Sequence, residues 1–80
     1  MLANAIQETI LEVLPDATVF VNDPDGQHFD AIVISPSFVG MPLVKQHQLV
    51  MNALKEAFEG PVHALALKTY TPEKWAAAQS

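Results

Sequence analysis

Four consecutive apolar residues, Ala31, Ile32, Val33 and Ile34, lie inside an extended run from Phe29 to Ser35. Side chains alternate across a strand, so this run places apolar groups on both of its faces. Such a strand belongs in the centre of a sheet covered on both sides, or in a thin sheet backed by one helical layer. The rest of the chain must supply that cover.

The segment before it reads as a helix and a strand. Leu2, Ile6, Thr9, Ile10 and Val13 recur at three- and four-residue spacing, with Asn4, Gln7, Glu8 and Glu12 on other sides, so Leu2 to Leu14 is helical until Pro15-Asp16 ends it. Ala17 to Asn22 is strand-like, with Thr18, Val19, Phe20 and Val21 at its heart. Asp23-Pro24-Asp25-Gly26 has turn composition, which makes the two strands an antiparallel hairpin.

The segment after it is mostly helical. Ser35 to Gly40 reads as a capped turn closed by glycine. Met41 to Phe58 is the longest helical pattern, with Pro42 in its first turn and Leu43, His47, Val50, Leu54 and Phe58 as its apolar stripe. Gly60-Pro61 stops it. Val62 to Thr69 is a third strand whose His63, Leu65, Leu67 and Thr69 face is the better buried one. Thr71 caps a short terminal helix that opens on Pro72 and carries Trp75. Strand, helix, strand is a crossover, expected to be right-handed, so the second and third strands should run parallel. The fold class is α+β: a three-stranded mixed sheet with helices packed on one face.

With 80 residues the chain holds one domain, spanning residues 1–80, with a small core. Half of the residues are hydrophobic and 16% are charged, which excludes a disordered chain. No apolar run approaches the ~20 residues of a membrane span. The start, Met1-Leu2-Ala3-Asn4, shows no basic region ahead of an apolar one, so a cytoplasmic location is expected. There is no cysteine, which removes disulfides, thiolate nucleophiles and cysteine-bound zinc. Nine acids face four lysines and no arginine, for a formal charge of −5. Duplex binding rests on clustered cations that neutralise phosphates, so weak or no DNA binding is expected. Glycine is too sparse for a dinucleotide or Walker loop.

Three histidines, nine carboxylates, Tyr70 and four lysines make up the reactive inventory. Ser35 and Ser37 lack a nucleophile-elbow setting. Asp23, Asp25 and Asp30 lack the further ligands of a calcium loop and read as a polar hairpin tip. His47, on the apolar stripe, reads as a packed structural histidine. His28 and His63 are different. Both open their strands, and parallel strands bring both openings to the same edge of the sheet. Neighbouring strands lie about 5 Å apart, so the two imidazoles could converge on one ion. Two histidines cannot close a zinc site but could form half of a site shared with a partner. A [2Fe–2S] iron accepts two histidines in Rieske centres.

The residues themselves resemble a known family. His28-Phe29-Asp30-Ala31-Ile32-Val33-Ile34-Ser35, then Ser37-Phe38-Val39-Gly40, then Val44-Lys45-Gln46-His47-Gln48-Leu49-Val50, then His63 through Trp75, resemble the BolA family in order and spacing over about residues 3 to 75. The short bacterial acid-stress subgroup, with a histidine in its variable loop, is the most similar. The resemblance implies an α-β-β-α-α-β order like that of the type II KH domain. It implies a non-enzymatic protein that binds a monothiol glutaredoxin and shares a glutathione-ligated [2Fe-2S] cluster with it, in iron–sulfur trafficking or stress response. The cluster would exist only in that complex. The family's strand-opening histidine maps onto His63 and its variable-loop ligand onto His28. Some members are stress-responsive regulators that bind DNA, and this would use the long helix through Lys45, Gln46, Gln48 and Lys55. Here Gln46-His47-Gln48 stands where many members carry Arg-His-Arg, and no basic tail follows Ala76. Both departures weaken the DNA expectation and leave the glutaredoxin one intact. Alone, the chain is expected to be a monomer or weak homodimer.

Overall fold

The computed structural model describes residues 2–23, 28–57 and 65–79. Helix α1 (Leu2–Val13) leads into strand β1 (Thr18–Asn22), and β2 (Phe29–Ile34) follows. A single 3-10 turn at Pro36–Phe38 precedes helix α2 (Leu43–Ala57). Strand β3 (Leu65–Tyr70) and helix α3 (Pro72–Gln79) complete the chain. The first of the two successive helices that the family order implies is therefore only this 3-10 turn. The expected chain turns around Pro24 to Gly26 and Gly60 to Pro61 lie outside the described residues. No helix among the described residues is long and apolar enough to cross a membrane.

The sheet order is β1-β2-β3, with β2 central as its continuous apolar run demands. β1 pairs with β2 antiparallel, Val19 opposite Val33. β2 pairs with β3 in parallel, Phe29 opposite Leu65 and Ile34 opposite Tyr70.

One face of the sheet meets α1 and α2. Ile6, Ile10 and Leu14 from the first segment, Val19, Phe29 and Val33 from the sheet, Phe38 from the 3-10 turn, and Val50 and Leu54 from α2 form the buried cluster. On α1 the stripe runs Ile6, Ile10, Leu14, an i, i+4, i+8 row, whereas Val13 is exposed. Leu14 lies just past the helix, and its N–H still bonds to the Ile10 carbonyl at 2.9 Å.

The α2 stripe differs from the sequence expectation. Gln46, Val50 and Leu54 are buried, Leu43 is exposed and His47 is half-buried. The row again runs at i, i+4, i+8. Gln46 tolerates the interior because its Nε2 donates to the Met41 carbonyl at 2.8 Å, filling one acceptor just outside the helix. Phe58 lies outside the described residues.

The opposite face forms three rows across the strands. The registers place Asn22, Asp30 and Ala66 in one, Phe20, Ile32 and Lys68 in the next, and Thr18, Ile34 and Tyr70 in the third. α3 lies on this side, so the helices are not all on one face. Its Trp75 ring lies 6.1 Å from Phe20 and 5.2 Å from Tyr70, centroid to centroid. The indole thus bridges the two edge strands across β2, on the side where Ile34 is buried. The reason is the apolar alternation of β2, whose second face also needs cover.

Candidate functional site

The parallel start of β2 and β3 is the edge at which sequence reasoning placed its metal ligands. His28 immediately precedes Phe29 and is exposed, while Phe29 is buried in the core and anchors that end of the strand. Phe29 stands level with Leu65, so the two strands begin together, as the crossover argument requires. His63, two residues before Leu65, lies outside the described residues, and so do Asp25, Gly26 and Gln27. Asp30 is exposed two residues beyond His28, and its strand partners are Asn22 and Ala66. Among the described residues, no three histidine or carboxylate groups come together as a metal site. What this edge displays among those residues is one exposed imidazole on a firmly anchored strand. That arrangement can donate a nitrogen to an ion whose remaining ligands come from elsewhere.

The long helix presents a second surface. Lys45, Gln48, Asn52 and Lys55 follow at i, i+3, i+7 and i+10 and all are exposed, so they form one outward face of α2. Gln46 does not join them. It is 5% exposed, and its amide is engaged with Met41, so the expectation that it contacts nucleic acid is corrected. Next to this face Val39, Leu43 and Val44 are exposed as well.

Two features were not legible beforehand. The Ser35 Oγ donates to Asp16 Oδ1 at 2.9 Å, and the Ser37 Oγ donates to Asp16 Oδ2 at 2.9 Å. Ser35 also caps the 3-10 turn by accepting from the Ser37 N–H at 3.0 Å. A Ser-Pro-Ser sequence after a strand is a turn signal, but no spacing links it to Asp16 nineteen residues earlier. The second feature is the aromatic contact of Trp75 with Phe20 and Tyr70, which pairs residues from both edge strands.

Fold and edge together define a small α+β domain with a two-helix layer on a mixed three-stranded sheet and a histidine at the head of the central strand. Residues 2–74 match the model of the family described as BolA-like protein, and the chain belongs to that family. It is 38% identical over 74 residues to the acid stress protein IbaG of Escherichia coli (strain K12), covering 91% of this chain and 87% of IbaG. It is 36% identical over 77 residues to the DNA-binding transcriptional regulator BolA of the same strain, covering 94% of this chain and 72% of that protein. Similarity to BolA-like protein 1 of Bos taurus, 36% over 75 residues, covers 92% of this chain but only 56% of the longer relative. Among solved structures, a bolA homologue from Coxiella burnetii superposes with a TM-score of 0.74 at 38% identity, covering 91% of this chain and 94% of that one. The BolA domain of SufE1 from Arabidopsis thaliana superposes with a TM-score of 0.74 at 29% identity, covering 90% and 93%.

Proposed function

We propose that this protein is a non-enzymatic iron–sulfur adaptor that binds a monothiol glutaredoxin and shares a glutathione-ligated [2Fe-2S] cluster with it. The observation that carries the reading is the exposed His28 imidazole at the head of β2, level with the start of a parallel β3 that follows closely on His63. Neutral imidazole is an established ligand of [2Fe–2S] iron. Membership in the BolA family supports the same partner. The chain has no cysteine, so histidine nitrogens are its natural soft-to-borderline donors for iron, and thiolates would come from the partner and glutathione.

A DNA-binding role is the second reading. The name of the Escherichia coli relative BolA and the two lysines on the outward face of α2 favour it. The −5 charge and the withdrawal of Gln46 into the core weigh against it.

The deciding experiment is reconstitution with a monothiol glutaredoxin, glutathione and iron, followed by size-exclusion chromatography and visible circular dichroism. The expected result is a heteromeric complex whose cluster spectrum differs from that of glutaredoxin alone. Elution as separate proteins with an unaltered glutaredoxin spectrum would refute the adaptor reading.

A further inference from the structure

Helix α3 is joined to the rest of the domain unusually lightly. Every described side chain from Pro72 to Gln79 is exposed except Trp75, which is half-buried. Trp75 rests on Phe20 and Tyr70, and Phe20 is itself still 50% exposed. A cleft of about 480 Å³ separates Thr71, Glu73, Lys74 and Ala77 from the Phe38–Met41 segment. A second cleft of about 370 Å³ opens on the outer face of the sheet, running from Phe20 over Ile32 to Asn22, Asp30 and Lys68. α3 is eight residues long. A helix that short is not stable in water by itself, so once Trp75 leaves the sheet the helix loses its main reason to stay folded.

We propose that α3 is a detachable strap latched by Trp75, opening independently of the remaining domain and gating the outer face of the sheet. When latched, Trp75 sits on Phe20 and Tyr70, on the side of the sheet where Ile34 is buried and Thr18 stays exposed. When released, Ile34 and Tyr70 become accessible beside the existing cleft over Phe20 and Ile32, an apolar centre rimmed by Asn22, Asp30 and Lys68, and the cleft beside the Phe38–Met41 segment opens fully. The gate lies at the C-terminal ends of β2 and β3, whereas His28 lies at their start. Ile34 lies four residue steps beyond Asp30, about 13 Å of strand. The seat of Trp75 is therefore remote from the histidine edge, although the outer cleft reaches Asp30 near it, and the inference does not depend on the proposed function.

Native-state amide exchange on the full chain tests it. The amides of Trp75 to Gln79 should exchange about 100-fold or more faster than those of Ile32 and Val33, through an opening that low denaturant barely alters, since a local opening exposes little surface. Because a short peripheral helix frays in any case, the latch itself needs its own readout. Phe20→Ala removes half of the aromatic seat from a site that is already half-exposed. It should speed α3 exchange about 10-fold, shift emission of the sole tryptophan to the red, and leave Ile32 and Val33 protected as in the wild type. Equal opening free energies for α3 and β2 in the wild type would overturn the proposal. So would α3 exchange that Phe20→Ala leaves unchanged.

Discussion

The hydroxyl of Ser35, 0% exposed, donates to the Asp16 carboxylate at 2.9 Å and ties the end of the first helical segment to the exit of the central strand. Asp16 accepts from Ser37 with its other oxygen, so a single carboxylate holds both serines of the turn. Replacing it leaves a buried hydroxyl without its acceptor, which typically costs about 1–3 kcal/mol. Asp16→Ala should lower stability by that amount in urea unfolding. Ser37→Ala removes only an exposed bond and should cost less than about 1 kcal/mol. Equal losses for the two variants would show that burial of Ser35 is not what makes the carboxylate matter.

Gly40 follows the 3-10 turn with φ of +80°, in the left-handed region. A Cβ built there meets nothing within 4 Å, so the penalty for a side chain is conformational and not steric crowding. Gly40→Ala is expected to destabilise the domain by about 1–2 kcal/mol, and Gly40→Asn by less, because asparagine enters this region more readily. Thermal unfolding of the two variants side by side checks the order.

Gln46 is buried, donates to Met41, and leaves its Oε1 without a partner among the described residues. Gln46→Leu removes the unpartnered acceptor, which stabilises, but takes the donor from the Met41 carbonyl, which costs, so the two effects largely offset each other. Stability should change by less than about 1 kcal/mol, whereas Gln46→Ala, which also empties volume, should cost about 2 kcal/mol or more. Chemical denaturation separates the two, and a large loss in Gln46→Leu would mean that the Met41 bond dominates.

If duplex DNA is bound at all, the outward face of α2 carries it. Affinity should be weak at physiological salt, and Lys45→Ala and Lys55→Ala should each reduce the slope of log affinity against log salt by about one. Gln46→Leu should leave binding unchanged. A tight complex at physiological salt that ignores both lysines would contradict this assignment, and fluorescence anisotropy across a salt series measures it.

In the reconstituted glutaredoxin complex, cluster retention should fall in the order wild type, His28→Ala, His63→Ala. The prediction rests on the proposed adaptor role and on the family resemblance, which maps the strand-opening histidine onto His63 and the variable-loop ligand onto His28. Visible absorption after desalting reads the retained cluster. A His63→Ala complex that keeps a wild-type spectrum would remove that residue from the ligand set.

Most of the architecture was written in local pattern. The apolar run from Ala31 to Ile34 demanded a central strand, and β2 is central. The strand–helix–strand order demanded a parallel pair, and Phe29 stands level with Leu65 in one. Pro42, Gly40 and Thr71 marked boundaries because proline, glycine and capping hydroxyls act on their own backbone or on near neighbours. Faces were less legible than elements. Periodicity admitted Leu43 and Val13 to the buried stripes, yet Gln46 and Leu14 hold those places, because a stripe's exact rotation depends on what the helix packs against.

Of the two histidines, local pattern put His28 where the loop enters the second strand, and it stands there, exposed and just before Phe29, while His63 lies outside the described residues. Contacts between distant segments were beyond reach. Asp16 meets Ser35 across nineteen residues, and Trp75 meets Phe20 across more than fifty. Both pairings exist because the sheet brings β1, β2 and β3 side by side within about 10 Å, a proximity set by the whole fold and encoded in no single window of the chain.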